Sequence, residues 1–224
     1  MKNFLSPTNR IVVARPNTLR AREGVCVVVA TLPRSGTHLM IDTVLNNFVE
    51  FQANPLYVNF DKFDLSTQQF GGLMHGQLIK THYPHEGEND TQNQRLESLQ
   101  EFTDLKVICI HRKLEDSLKS YNEMFELSQT LKEYAQVDQK FREYWASFDP
   151  LEIEFNELID INSIDVLLHK IEKHLGLAAI NKKLAPTPKR SKARIYMYKL
   201  LTRIFGFRSP IINTGIRFSK VKDK

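Results

Sequence analysis

The sequence predicts an α/β fold of three layers, in which a mostly parallel sheet carries helices on both faces. Short apolar runs of strand length alternate with segments whose apolar residues recur at helical spacing, which is typical of such sheets. The run from residue 25 to residue 30 is apolar at every position, as expected for a central parallel strand. The chain of 224 residues is long enough for one such domain with a large core.

The strands and helices are predicted from these patterns in turn. Apolar runs predict strands at 11–14, 25–31, 77–82, 106–111 and 151–155. Helical spacing predicts helices at 37–48, at about 130–147 and at about 163–175. A further helix is predicted after the strand at 106–111, because Leu114, Leu118, Tyr121 and Phe125 recur on one helical face. For the last helix, Asn162 with Asp165 is interpreted as the capping pair and Gly176 as the C-terminal stop.

Three parts of the chain differ in composition. Residues 1–24 are interpreted as an irregular lead-in, 25–180 as the α/β domain and 181–224 as a basic helical tail. The segment 46–76 is polar and is predicted to form loops and short pieces. Its aromatic residues either line an acceptor pocket or belong to the core; they are Phe48, Phe51, Tyr57, Phe60, Phe63 and Phe70.

The charge is concentrated in the tail. The whole chain carries a net charge of +5, yet the tail holds thirteen Lys or Arg residues and only one acidic residue, Asp223. No nucleic-acid-binding motif accompanies this charge, so a nucleic-acid partner is not expected. A helix predicted at 192–207 is either a basic amphipathic helix that contacts a membrane surface or a helix packed on the domain with a solvated basic face.

Other sequence features limit the compartment and the cofactors. No apolar run is long enough to cross a membrane, and the first residues lack the apolar stretch of a secretory signal, so a cytoplasmic protein is expected, with peripheral membrane contact through the tail as an addition. Cys26 and Cys109 lie within predicted strands and are interpreted as buried free thiols. No Cys/His cluster has metal-ligand spacing, and no metal site is predicted.

The stretch from Leu32 to His38 is the most informative one. A strand, a tight turn of small residues and a helix follow each other here, which is the arrangement that binds phosphate with backbone N–H groups and a helix N-terminus. Gly36 allows the backbone to approach a ligand and to adopt a positive φ. The turn is not a Walker A loop, because its cation, Arg34, precedes the only glycine and no Lys follows it.

Two further polar stretches follow predicted strands. Lys80-Thr81-His82-Tyr83-Pro84 ends the second buried run, and Arg112, with Ser120 eight residues later, follows the third. Because open parallel sheets bind ligands at the carboxyl ends of their strands, these stretches are expected to meet the turn at residues 34–37.

The three stretches together resemble the sulfotransferases that use 3′-phosphoadenosine 5′-phosphosulfate (PAPS). The turn is similar to their 5′-phosphosulfate loop, P-[KR]-S-G-T-[TS], and the second stretch to their K-T-H-x-P segment. Arg112, Asp116 and Ser120 resemble their 3′-phosphate motif, R-x-x-x-D-x-x-x-S. The resemblance covers about residues 25–158 and implies a fold like that of P-loop NTPases. His38 stands where the family often has a second Thr, and Leu39 where it has an adenine-stacking Trp.

The resemblance also implies roles for these residues. His82 is expected to be the general base, Lys80 to stabilise the sulfuryl oxygens and Arg34 the leaving phosphate. The donor PAPS is expected to bind through the turn, by Arg34, Ser35, Gly36, Thr37 and His38, and through its 3′-phosphate by Arg112 and Ser120. The acceptor is expected to be a hydroxyl of a small molecule, a lipid or a carbohydrate.

Two alternatives remain open. A P-loop kinase of a small molecule would bind a phosphate at the same turn, although the Walker lysine is missing. A non-catalytic module that binds an adenine nucleotide or a nucleic acid would use the basic tail, although Lys80 and His82 would then have no catalytic role.

Overall fold

The structure is a computed structural model that describes residues 24–52, 57–62, 76–84 and 105–182, together with residues 197, 200, 201, 204, 205 and 214. The strand predicted at 11–14 and the aromatic residues Phe63 and Phe70 lie outside this part of the chain.

Five strands of the described residues form one sheet in which every neighbouring pair is parallel. The strands are β1 (Cys26–Thr31), β2 (Val58–Asn59), β3 (Leu78–Thr81), β4 (Leu105–His111) and β5 (Leu151–Glu154). Their order is β2-β3-β1-β4-β5, so β1 is central and the chain passes from one side of it to the other between β3 and β4. The prediction of a mostly parallel sheet is confirmed, and β2 is a short strand that the sequence did not predict.

Helices follow the strands as the spacing of apolar residues predicts. They are α1 (Thr37–Asn47), α2 (Val49–Gln52), α3 (Leu114–Phe125), α4 (Leu131–Ala146), α5 (Phe155–Ile159) and α6 (Ile164–Leu175). The short helices α2 and α5 were not predicted, because four or five residues are too few to show a helical period.

Alternate residues of β1 face two separate apolar cores. Val27 and Val29 belong to the core that also contains residues of α1 and α6, whereas Val28 and Ala30 belong to the core that contains residues of α4. The helix α3 packs against this second core through Leu114, Leu118 and Tyr121. Helices therefore cover both faces of the sheet, which confirms the three-layer prediction.

Several finer predictions have different outcomes. The aromatic side chains of Phe48, Phe51, Tyr57 and Phe60 are buried in the core, so they do not line an open acceptor pocket. Phe125 lies on the predicted face of α3, since its ring contacts the Tyr121 ring at a centroid distance of 4.9 Å, but 53% of it is exposed and it lies outside the buried core.

The predicted capping pair of α6 was wrong. The helix begins after Ser163, and the carboxylate of Asp160 accepts from the backbone N–H of Asn162 to cap the preceding 3-10 turn, Ile161–Ser163. The C-terminal stop is confirmed, since Gly176 caps the helix with a φ of 68°. Cys26 and Cys109 are buried free thiols, as predicted.

The described residues of the tail include five helical residues and one buried residue. Met197, Leu200, Leu201, Ile204 and Phe205 are helical, within the predicted range. Thr214 is buried against α1, where its backbone N–H donates to the Asp42 carboxylate over 2.7 Å. Among the described residues, no helix is both long and apolar enough to cross a membrane.

Candidate functional site

The turn between β1 and α1 contains two residues with a positive φ, a backbone conformation that residues other than glycine rarely adopt. Gly36 has a φ of 105° and is the N-cap of α1, without a capping side chain. A Cβ at this position would come within 2.8 Å of the Phe155 ring, so only glycine fits. Arg34 also has a positive φ, 72°, a conformation that costs a non-glycine residue on the order of 1 kcal/mol. The first intrahelical bonds run from Leu39 and Met40 to the Gly36 carbonyl, so the N–H groups before them form the N-terminal end of the helix.

Two arginines and a serine meet beside this turn. The Arg34 Nε–H donates to Ser120 Oγ over 3.0 Å, and the Arg112 Nη1–H donates to the Arg34 carbonyl over 3.0 Å. The Arg112 guanidinium also stacks over the Phe155 ring, 4.6 Å from its centroid. A second serine of α3 joins them, because Ser117 Oγ lies 3.3 Å from Ser35 Oγ. We call Arg34, Ser35, Arg112, Ser117 and Ser120 the arginine cluster.

The arginine cluster carries positive charge that the described residues do not neutralise. In the ranges that the structure covers, no carboxylate forms an ion pair with Arg34 or with Arg112. The cluster also adjoins the N-terminal end of α1, which favours negative charge. Such a set of donors is suited to bind an anion, and a phosphate is the group that the planar guanidinium fits well.

On the other side of β1, the end of β3 is held by one carboxylate. Asp61 Oδ1 accepts from Thr81 Oγ1 over 2.8 Å and from the backbone N–H of His82 over 2.9 Å. The second oxygen of Asp61 lies 3.4 Å from the Lys80 ammonium, whose side chain is only 5% exposed. We call Asp61, Lys80, Thr81 and His82 the base cluster.

The ring of His82 is fixed in one tautomer. Its Nδ1 lies 2.7 Å from the carbonyl oxygen of Thr31, and because a carbonyl can only accept, Nδ1 carries the proton. In the neutral ring, the lone pair is then on Nε2, the atom that can accept a proton from a substrate. The Thr31 hydroxyl lies 3.3 Å from the same Nδ1 and 2.5 Å from the Thr37 hydroxyl, so Thr31 connects His82 with the first residue of α1.

The structure brings most of the predicted site residues together. Arg34, Arg112 and Ser120 are in contact although they lie 78 and 86 residues apart in sequence, and Thr37 is linked to His82 through Thr31. His38 lies elsewhere, since its ring contacts the Tyr57 ring at a centroid distance of 5.7 Å and its Nδ1 lies 3.0 Å from Thr214 Oγ1. These contacts give His38 a packing role on the side of α1.

Sequence reasoning missed two polar residues of the site. Asp61 follows the two-residue strand β2, in a segment without periodicity, and no local pattern of the sequence singled it out. Ser117 lies three residues before Ser120 on α3, and the helical spacing of these two serines was a signal for a shared face.

Burial keeps one tyrosine and both cysteines of the described residues protonated. The Tyr134 hydroxyl donates to the Pro33 carbonyl over 3.0 Å, and burial raises the pKa of Tyr134, so the donor stays protonated. Burial likewise raises the pKa of both Cys26 and Cys109 to about 12, and these thiols are poor nucleophiles at neutral pH. Among the described residues, no group of three or more His, Cys, Asp or Glu side chains could hold a metal ion.

Neither the protein-family models nor the curated proteins include a match to this chain. The function proposed below therefore depends on the residues at this edge of the sheet and on their contacts.

Proposed function

We propose that this protein is a sulfotransferase that transfers a sulfuryl group from PAPS to a hydroxyl acceptor, with a fold like that of P-loop NTPases. The observation that carries the proposal is the contact of the turn with α3, where Arg34 donates to Ser120 while Arg112 donates to the Arg34 carbonyl. The two stretches that resemble the 5′-phosphosulfate loop and the 3′-phosphate motif therefore adjoin. A nucleotide with phosphates on both the 3′ and 5′ oxygens of one ribose requires this proximity.

The residues present fit such a donor. Two guanidinium groups, three serine hydroxyls and the start of α1 offer hydrogen-bond donors for two anionic groups, and the described carboxylates do not compete for the arginines. Arg34, Ser35, Gly36 and Thr37 would hold the 5′-phosphosulfate, and Arg112 with Ser120 would hold the 3′-phosphate.

The base cluster would perform the proton transfer. The acceptor hydroxyl attacks sulfur, its proton passes to Nε2 of His82, and the bond between sulfur and the 5′-phosphate oxygen breaks to release 3′,5′-ADP. Lys80, whose ammonium faces Asp61 at the end of β3, would stabilise the sulfuryl oxygens. Arg34 would stabilise the charge that develops on the leaving phosphate.

Thermal unfolding with three ligands tests this proposal against its alternatives. A ligand that binds the folded state raises the Tm, so 3′,5′-ADP is expected to raise it strongly, while ATP with Mg²⁺ and a short oligonucleotide are not. Transfer of labelled sulfate from PAPS to a panel of phenols, sugars and lipids then identifies the acceptor. A Tm that rises with ATP and Mg²⁺ alone would favour the small-molecule kinase, and a rise with the oligonucleotide alone would favour the binding module.

The tail favours a lipid surface as a partner. Met197, Leu200, Ile204 and Phe205 are helical, apolar and each at least half exposed, and their spacing places them on one helix face. The same tail contains thirteen Lys or Arg residues, so its charge is complementary to anionic lipids. We propose peripheral contact of this face with an anionic bilayer.

Sedimentation with vesicles tests the proposed membrane contact. The full chain is expected to sediment with vesicles of phosphatidylcholine and phosphatidylserine but not with phosphatidylcholine alone. The double substitution Leu200→Gln with Ile204→Gln should abolish this binding, whereas the control Ile161→Gln, at a site that is 71% exposed, should not. Equal sedimentation of both variants, or a dimer that only the double substitution dissociates, would contradict it.

A further inference from the structure

Asp61 lies at the carboxyl end of β2 and contacts three groups of the neighbouring strand end. Its Oδ1 accepts from Thr81 Oγ1 and from the His82 N–H, and its Oδ2 faces the Lys80 ammonium. The Asp61 side chain is 14% exposed, so its charge is largely removed from water, and these contacts help to compensate for the lost hydration. One carboxylate thus contacts three consecutive residues of β3 and the turn that follows it.

We infer that Asp61 is the positioning residue of this site, which holds the main chain of His82 and the ammonium of Lys80 in their places. The inference rests on the proposed function, because it assigns His82 and Lys80 their roles in sulfuryl transfer. The sequence resemblance gave no role to Asp61.

The contacts of His82 show how a carboxylate two strands from β1 reaches the ring. The His82 N–H is held by Asp61 and its Nδ1–H by the Thr31 carbonyl, so the residue is fixed at both its main chain and its ring. Thr81 adds a third link, since its hydroxyl donates to Asp61 and accepts from the Tyr83 N–H. Loss of the carboxylate would remove the bond that holds the His82 N–H, so the His82 ring would be held less firmly against the Thr31 carbonyl that selects the Nδ1–H tautomer.

Two substitutions separate the two tasks of Asp61. In Asp61→Asn, the amide oxygen still accepts from Thr81 and His82, but the amide nitrogen faces the Lys80 ammonium and both groups are donors. In Asp61→Ala, all three contacts are lost. Asp138→Asn is the matched control, because the Asp138 side chain is 13% exposed and pairs with Arg142 over 2.8 Å on α4.

The expected effects differ between these variants. With the full chain and saturating PAPS, kcat should fall about tenfold in Asp61→Asn and about a hundredfold in Asp61→Ala, with the KM for PAPS within about threefold of that of the unsubstituted protein. The ¹⁵N shifts of the His82 ring should report the Nδ1–H tautomer in the unsubstituted protein and in Asp61→Asn, and a tautomer mixture in Asp61→Ala. The control Asp138→Asn should change neither quantity.

The ring shifts keep this inference separate from the proposed function, since they need no substrate. Absence of sulfuryl transfer in the unsubstituted protein would refute the function and leave the tautomer measurement valid. Asp61 is not a positioning residue if Asp61→Ala keeps the ring shifts of the unsubstituted protein, or if neither Asp61 variant lowers kcat more than the control does. If Asp61→Ala does not fold, Asp61→Asn still tests the inference, because an unchanged kcat in that variant would show that Asp61 does not position the Lys80 ammonium.

Discussion

The two sides of β1 contain two clusters of opposite character. In the base cluster, the cation Lys80 is 5% exposed and already faces the carboxylate of Asp61, and His82 is bonded to Asp61 and to Thr31. In the arginine cluster, Arg34 is exposed and Arg112 is half-buried, and no described carboxylate forms an ion pair with either of them. The base cluster is therefore organised by contacts within the protein, whereas the described part of the chain leaves the charge of the arginine cluster unneutralised, and an anionic ligand would neutralise it.

This difference assigns different tasks to the two sides. Groups that are held in place by hydrogen bonds before a ligand arrives can act on a transition state without reorganisation, which is the condition for efficient catalysis. Guanidinium groups beside a helix N-terminus that form no ion pair with a described carboxylate are suited to bind an anion. We therefore expect substitutions in the base cluster to change turnover and substitutions in the arginine cluster to change nucleotide binding, with Arg34 contributing to both.

The largest effect is expected for His82→Ala. Loss of the general base should lower kcat on a hydroxyl acceptor about 10²–10⁴-fold, while the Kd of 3′,5′-ADP stays near that of the unsubstituted protein. His174→Ala is a matched control. His174 lies on α6, outside the base cluster, and its Nε2 also bonds a backbone carbonyl, that of Val107. A rate above one tenth of normal at saturating PAPS would exclude His82 as the base.

Arg34→Ala should lower kcat about 10²–10³-fold, the scale of losing one preorganised donor to a developing charge. Arg34→Lys should recover much of this loss, because it keeps a cation beside the turn, and added Mg²⁺ should rescue neither variant. Steady-state kinetics with varied PAPS provide the measurement. A rise in the KM for PAPS with an unchanged kcat would assign Arg34 to ground-state binding alone.

Arg112→Ala should weaken 3′,5′-ADP binding by about 2 kcal/mol, roughly thirtyfold in Kd, the lower end of the range for a charge pair because Arg112 is only half-buried. Adenosine 5′-phosphosulfate, which lacks the 3′-phosphate, should bind both proteins almost equally. Equal losses for the two nucleotides would show that Arg112 does not bind the 3′ group.

The smallest effect concerns the turn that both clusters share. In Gly36→Ala, the new methyl group meets the Phe155 ring, which Arg112 covers from above. Gly176→Ala is the control, since Gly176 has a positive φ but nothing within 4 Å of the new Cβ. Denaturant unfolding should show a loss about 1–2 kcal/mol larger for Gly36→Ala than for the control. Equal losses would mean that Phe155 moves aside without cost.

The sequence predicted those parts of the molecule that local patterns determine. Local patterns predicted the apolar run of β1, the small residues of the turn after it, and the spacing of Arg112 and Ser120. The expectation that these stretches meet rested on the rule that parallel sheets bind ligands at the carboxyl ends of their strands, and Arg34 does contact Ser120. Asp61 was missed, because β2 has only two residues and nothing local shows which strand lies beside it. The contacts of Asp61 with residues of β3 depend on which strands are neighbours in the sheet, and local sequence patterns do not show that.

Side-chain direction was the other limit. His38 follows Thr37 directly, so its position in the sequence placed it near the phosphate-binding turn. On α1, however, adjacent residues point in directions about 100° apart, and the ring of His38 contacts Tyr57 and Thr214 instead. The capping pair predicted for α6 was wrong because Asn162 lies in the 3-10 turn before the helix, where its backbone N–H donates to the Asp160 carboxylate.

A calorimetric titration of the unsubstituted protein tests most directly whether the arginine cluster binds a nucleotide with two separate phosphates. The titration compares 3′,5′-ADP with 5′-AMP, which differ only in the 3′-phosphate that Arg112 and Ser120 are proposed to hold. We expect 3′,5′-ADP to bind at least about tenfold more tightly, a difference of roughly 1.4 kcal/mol, and this difference to shrink in Arg112→Ala. Equal affinity for the two nucleotides, or no binding of either, would contradict the account.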